Sequence, residues 1–179
     1  MLGWLVSNRL SAAERQLGVS VDYLRHLYRV SPGGFFKFAR IMPLAAYRRK
    51  LPVEPFHIAT LVAVKHEDCG TCVQIGVNLA LQDKVPAPLI KAAVEGRPDD
   101  LPPELADVYR FAESVASADG QEGEYRERIV QRWGETALAE MALAIASCRT
   151  FPTLKRGLGY AKSCSRVRVD LQGTVASGR

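Results

Sequence analysis

Two adjacent apolar segments, separated by a short polar turn, dominate the stretch of chain between residues 54 and 81. The apolar residues of 58–64 predict a buried helix that ends near the turn at 65–68. The second segment opens with a Cys-Gly-Thr-Cys motif at 69–72, and its apolar residues occupy more than one helical face. That distribution predicts a second helix that is largely buried. We expect the rest of the chain to pack around this pair.

Helical spacing of apolar residues continues along most of the remaining chain, and it predicts an all-α fold. Only one segment alternates like a strand, residues 166–170 in the tail. The other predicted helices cover residues 2–17, 21–28, 35–44, a short stretch through Ala93, a stretch that starts at 101–104 and closes at 119–120, and residues 124–133, 136–149 and 151–160.

We divide the chain into an N-terminal helical extension (1–34), a helical domain (35–162) and a basic, loosely ordered tail (163–179). A chain of 179 residues with 47% apolar content can bury a core without a metal or disulfide bonds. The Trp and Phe residues near the N-terminus, Trp4 and the cluster at 35–38, are expected to lie in the core or at a subunit interface.

The cysteine content favours a reducing compartment. Four cysteines without a secretory signal do not form a disulfide framework, and a CxxC pair in that setting is more often catalytic or metal-binding. The first apolar run is too short for a signal peptide, and no later run approaches the length of a membrane span. We therefore expect a soluble, cytoplasmic protein with no membrane partner.

The net charge of +5 is concentrated between residues 20 and 50. The basic residues are spread along predicted helices, and no nucleic-acid-binding motif accompanies them. We expect a solvated basic surface and no nucleic-acid partner.

The position of the CxxC pair matters chemically. A cysteine in the first turn of a helix meets unpaired backbone N–H groups and the positive end of the helix dipole, which together lower its pKa. Glu67 and Asp68 oppose a thiolate, whereas a protonated His66 would favour one. Two cysteines two residues apart, Cys69 and Cys72, supply both an attacking and a resolving thiol.

Several segments resemble the alkylhydroperoxidase D / carboxymuconolactone decarboxylase superfamily. They are the CxxC helix with the helix before it, the PAPLIKA turn, LPPELADVYRFAESVA, and WGETALAEMALAIASCRTFPTLKRGLG. The resemblance covers roughly residues 38 to 160. It implies an all-helical bundle with the CxxC at the N-terminus of a buried central helix, and a homo-oligomer such as a trimer or hexamer.

The redox branch of that family carries the pattern Glu-x11-Cys-x2-Cys-x3-His. In it the second cysteine attacks a peroxide, the first resolves, and the Glu and His relay protons. Only Cys69 and Cys72 match here, because His57 replaces the Glu and Gly76 replaces the His. His57 is then the best remaining base, since imidazole titrates at a pKa of about 6.5, and His66 is the other candidate.

The resemblance implies a thiol-dependent oxidoreductase that reduces a hydroperoxide or a disulfide through Cys72 and Cys69, without a cofactor and with a thiol electron donor. One alternative is a non-catalytic family member that binds a ligand or a partner. Another is a small metal site formed by His66, Cys69, Cys72 and His57, for which the spacing is cramped. Cys148 is expected to be an ordinary core residue, and Cys164 a tail thiol.

Overall fold

The computed structural model describes residues 2–160, and within that range it is all-helical, as the sequence predicts. The tail, with Cys164 and the strand-like segment 166–170, lies outside the described residues. None of the described helices is both long enough and apolar enough to cross a membrane. The helices are α1 (Leu2–Leu17), α2 (Asp22–Val30), α3 (Pro32–Phe38), α4 (Ile41–Ala45), α5 (Val53–Lys65), α6 (Gly70–Gln82), α7 (Ala87–Glu95), α8 (Pro103–Ser117), α9 (Gly123–Cys148) and α10 (Thr150–Gly157).

Helix α5 is the centre of the main core. It packs against α6, α7, α8 and α9, and both its faces are apolar, so Ile58, Leu61 and Val62 are buried. The predicted pair of central helices, joined by a polar turn, is therefore confirmed. Asp68 in that turn has a φ of 48°, in the left-handed region, which lets the chain reverse direction before α6 begins.

The first two helices pack on the other side of α6. Val6 and Leu10 of α1 form a second apolar cluster with Tyr23 and Leu24 of α2, and residues of α10 pack against it. The side-chain amide of Asn78 on α6 donates a hydrogen bond of 2.7 Å to the carbonyl oxygen that ends α1. The N-terminal helices thus cover the helix that the CxxC motif opens.

Residues 35–44 differ from the prediction of a single helix. The structure has two helices, α3 and α4, separated at residues 39–40. Pro43 explains the break, because proline has no N–H to donate and is tolerated only in the first turn of a new helix. The second helix ends at Val30, and Pro32 is the first residue of α3. Gly134 ends a helical run as predicted, since its φ of 83° breaks α9.

Several large apolar side chains are exposed on the single chain, including two of the aromatic residues expected in the core or at a subunit interface. Trp4 is 68% exposed, whereas Phe35 is buried. The other exposed members are Leu5, Val30, Phe36, Met42, Leu44, Tyr47 and Leu143.

Glu140 of α9 fixes the segment that leads into α5. One of its carboxylate oxygens, Oε2, accepts the backbone N–H groups of Arg49, Lys50 and Leu51, each at 2.9 Å. Burial opposes ionisation of this side chain, but the three N–H groups hold its pKa below the ordinary value. A buried carboxylate can remain charged in a folded protein when donors surround it in this way.

We expect Glu140→Ala to lower the free energy of unfolding by about 3 kcal/mol or more, because it leaves several backbone donors unpaired. Urea denaturation monitored by circular dichroism measures the change. Glu135→Ala is the matched control on the same helix, where the side chain is exposed, and it should change stability by no more than about 0.5 kcal/mol. Equal effects of the two substitutions would contradict a structural role for the Glu140 carboxylate.

Candidate active site

The two cysteines of the CxxC motif face each other at the start of α6. Their Sγ atoms are 2.7 Å apart, and both are free thiols with exposures of 2% for Cys69 and 8% for Cys72. Cys69 is the N-cap residue, and its carbonyl oxygen accepts the N–H groups of Cys72 and Val73. The motif therefore opens the helix, as the sequence predicts.

The pKa values of the two thiols shift in opposite directions. The hydrogen bond with the Cys72 thiol lowers the pKa of Cys69 to about 6 despite burial, and the cations of Lys155 and Arg156 act in the same direction. The pKa of Cys72 is raised, because its proton is held by Cys69 and because it is buried. The pair therefore carries a single negative charge, centred on Cys69, with the remaining proton on Cys72.

Glu67 does not oppose this thiolate in the way that its sequence position suggests. Its carboxylate accepts a hydrogen bond from Arg149 at 2.7 Å and another from Arg156 at 3.0 Å. Burial disfavours its charged form, but these two partners keep the pKa of Glu67 below the ordinary value. The charge of Glu67 is thus balanced, and its ion pairs tie the turn before Cys69 to the end of α9 and to α10.

An apolar cavity of about 220 Å³ lies between the N-terminal helices, α5, α6 and α10. Cys72 lines this cavity and Cys69 does not, so a molecule in the cavity meets the Cys72 sulfur first. The lining residues are Ala13, Leu17, Ser20, Val21, Tyr23, Leu24, Met42, Ala45, Ala46, Phe56, His57, Thr60, Val64, Cys72, Ile75, Gly76, Leu79, Cys148, Phe151 and Lys155.

His57 of α5 lines the same cavity and is only 4% exposed. Its Nε2 atom lies 2.7 Å from a carboxylate oxygen of Asp83, which directly follows α6 and is half-exposed. Burial lowers the pKa of His57 although Asp83 opposes the shift, so the imidazole is neutral at pH 7. When Nε2–H is donated to Asp83, the Nδ1 atom is left as a proton acceptor.

His66, the other candidate base, lies elsewhere. It is exposed at the C-terminal end of α5, and it is not among the residues that line the cavity. The structure therefore brings Cys72 and His57 to one cavity with Cys69 beside it, and leaves His66 outside. Within residues 2–160 no three His, Cys, Asp or Glu side chains are grouped as metal ligands.

Gly76 lies one helical turn after Cys72, and the structure gives a packing reason for a glycine there. A Cβ atom added at Gly76 would lie 2.9 Å from Cδ2 of Leu61, which is itself buried in α5. Such a contact is too short for two carbon atoms. Glycine therefore allows α5 and α6 to approach closely beside the cysteine pair.

Sequence reasoning missed three polar residues of the site: Asp83, Tyr23 and Lys155. Asp83 comes 26 residues after His57, and no sequence pattern links the two. Tyr23 is buried in the N-terminal cluster, where burial and the two nearby thiols raise its pKa. Lys155 is 8% exposed on α10, and only the odd position of a lysine within an apolar helical face could have indicated it.

Comparisons of the chain with models of known families, with curated proteins and with solved structures found no match.

The lowered pKa of Cys69 predicts a pH dependence. Because the pKa of Cys69 is lowered to about 6, thiolate should be present above that pH and lost on acidification through it. Thiolate absorbance in the ultraviolet measures this transition, in a Cys164→Ser background to remove the tail thiol. Cys148→Ser is the control and should leave the transition in place, since burial raises the pKa of Cys148 to about 12. A transition that persists in Cys69→Ser would contradict the assignment.

Proposed function

We propose that the protein is a thiol-dependent oxidoreductase that reduces a hydroperoxide or a disulfide through Cys72 and Cys69. The observation that carries this proposal is the pair of thiols 2.7 Å apart, one of which opens onto an apolar cavity. Such a pair can pass reversibly between dithiol and disulfide with little movement of the backbone.

Cys72 is the attacking thiol in this proposal, because it is the sulfur that lines the cavity. Its proton passes to the Cys69 thiolate as the Cys72 sulfur attacks the terminal oxygen of the hydroperoxide. The O–O bond breaks, Cys72 becomes a sulfenic acid, and an alkoxide leaves. Cys69 then attacks the sulfenic sulfur, which releases water and forms the disulfide. An external thiol donor restores the two thiols and is itself oxidised to a disulfide.

Cys69 therefore acts as the base that activates Cys72. Gly76, at the position of the histidine in the redox pattern, has no side chain that could act as this base. The distance of 2.7 Å between the two sulfurs permits direct proton transfer. The cations of Lys155 and Arg156 favour the thiolate from which this step starts.

His57 relays the proton that the leaving alkoxide needs: the neutral ring first takes up a proton at Nδ1 and then passes it on. Its side chain is buried in the cavity, while its partner Asp83 is half-exposed, so the two groups join the cavity to the solvent. A proton taken up at this pair can be delivered to the alkoxide and replaced from water. This pair occupies the role that the Glu and His of the redox branch would fill.

The resemblance to the alkylhydroperoxidase D-like bundle supports the same function. The order of elements agrees with it: a buried helix, a CxxC helix, a short helix after a proline turn and a longer amphipathic helix. The proposal includes a homo-oligomer, because exposed Trp4 and the exposed apolar side chains of α3 and α4 would be covered by another subunit. It also includes a reducing, cytoplasmic location.

The test is a stoichiometric count of thiols. Fully reduced protein receives one equivalent of cumene hydroperoxide, and free thiols are then counted and located by peptide mass spectrometry. We expect two thiols per chain to be lost, both in a disulfide between Cys69 and Cys72. No loss with any hydroperoxide or small disulfide would refute the proposal and favour the non-catalytic, ligand-binding alternative.

A further inference from the structure

Lys155 brings a cation to the apolar cavity on a side chain that is largely buried. The side chain is 8% exposed and lines the cavity. Among residues 2–160, its Nζ atom makes no salt bridge and no hydrogen bond. A cation in an apolar setting is costly unless an anion accompanies it. This site is therefore suited to an anion.

The helices around the cavity do not supply Lys155 with a negatively charged partner in every redox state of the protein. The titratable groups that face the cavity are Tyr23 from α2, His57 from α5, Cys72 from α6 and Cys148 from α9, and none of them is a carboxylate. The nearby carboxylate of Glu67 is already paired with Arg149 and Arg156. The thiolate of the cysteine pair can balance Lys155, but oxidation to the disulfide removes that charge.

The remaining walls of the cavity are apolar, and its size limits what can enter. The cavity volume of about 220 Å³ is larger than a cavity that holds benzene and smaller than a pocket for a drug-sized ligand. It therefore suits a ligand on the order of ten non-hydrogen atoms. The complementary ligand has a compact aliphatic or aromatic body and one negative charge placed at Lys155.

We propose that the cavity binds a small organic carboxylate with an apolar body, and that Lys155 pairs with its carboxylate. Resting on the proposed function, the substrate class is then a hydroperoxide that carries a carboxylate. Its O–O bond is reduced to a hydroxy acid and water while the two thiols become the disulfide, and the carboxylate itself does not react. Lys155 selects this class because a neutral analogue forms no ion pair with its ammonium group.

Binding can be measured without redox chemistry. The full-length Cys69→Ser/Cys72→Ser variant carries no thiolate to compete for Lys155. Calorimetry compares para-isopropylbenzoate with para-isopropylbenzyl alcohol and para-isopropylbenzylamine, which share one body and differ in charge. We expect the acid to bind about tenfold or more tightly than the alcohol, and the amine to bind most weakly. Equal affinities, or the reverse order, would overturn the inference.

Lys155→Met in that background should remove the preference for the acid while the alcohol still binds. Lys155→Gln serves as a second variant of different shape, and thermal melting confirms that each variant is folded. Replacement of this largely buried lysine by a neutral residue of similar size is not expected to prevent folding. A preference for the acid that survives both substitutions would assign the anion site to another group and refute the role of Lys155.

Kinetics separate ligand selection from stabilisation of the thiolate. Wild-type protein should react about tenfold or more faster with the para-carboxylate of cumene hydroperoxide than with cumene hydroperoxide, and Lys155→Met should bring this ratio close to one. If Lys155 only stabilised the thiolate, both rates would fall equally and the ratio would be unchanged, which would refute the inference. Acid binding without any oxidation would support the carboxylate site and refute the proposed oxidoreductase.

Discussion

Cys72→Ser is expected to abolish the proposed hydroperoxide reduction, because a serine hydroxyl cannot replace the sulfur that lines the cavity. Cys69→Ser is expected to give a different defect. The first oxidation slows, since the neighbouring base is lost, and it stops at a sulfenic acid on Cys72 because no resolving thiol remains. Stopped-flow kinetics and trapping of the sulfenic acid with dimedone, followed by mass spectrometry, distinguish the two variants.

The matched control is Cys148→Ser, which alters the third thiol of the site region and should still form the Cys69–Cys72 disulfide. The reciprocal result, in which Cys72→Ser accumulates a sulfenic acid on Cys69, would exchange the two roles. That outcome would mean that the thiolate position, centred on Cys69, decides the nucleophile rather than exposure to the cavity.

His57→Ala should slow the first oxidation by roughly 10²-fold or more, the usual range for a lost general acid or base. The alkoxide then leaves without a positioned proton donor. Asp83→Asn should slow it less, because an amide oxygen can still accept the Nε2–H and hold the ring. Asp83 acts here as a positioning residue, so its loss should also shift the pH profile of the rate.

His66→Ala is the control for these two variants and should retain the wild-type rate, since His66 is exposed and away from the cavity. A wild-type rate in His57→Ala would remove the imidazole from the mechanism. The same rate constants should be measured with a neutral hydroperoxide, so that changes in the binding of a charged substrate do not obscure the comparison.

The helical fold could be predicted because apolar periodicity is strong where the core is densest. Ile58, Leu61 and Val62 repeat at helical spacing and are all buried in α5. The break at residues 39–40 was harder to predict from the sequence, because the apolar pattern continues across it. Pro43 nevertheless requires a new helix to begin shortly before it. Boundaries of this kind depend on a local backbone requirement that competes with the hydrophobic pattern.

The candidate site was predictable only where it is local in sequence. The CxxC spacing and the predicted helix start placed Cys69 and Cys72 at the N-terminal end of α6, because four consecutive residues determine both. The contact of His57 with Asp83, and the arrival of Lys155 and Tyr23, depend on how α2, α5 and α10 pack together. Those contacts arise from tertiary structure, and apart from the position of Lys155 within an apolar helical face, the spacing of side chains along the chain does not indicate them.

The close packing of Gly76 against Leu61 restricts which substitutions these two positions can accept during evolution. A histidine at position 76 would collide with Leu61 Cδ2, whereas a smaller residue at 61 alone would leave a void in the core. Each single step is unfavourable, and only the two together restore good packing. Among related sequences, residue 61 should therefore be small wherever residue 76 carries a large side chain, so the two positions would evolve as a coupled pair.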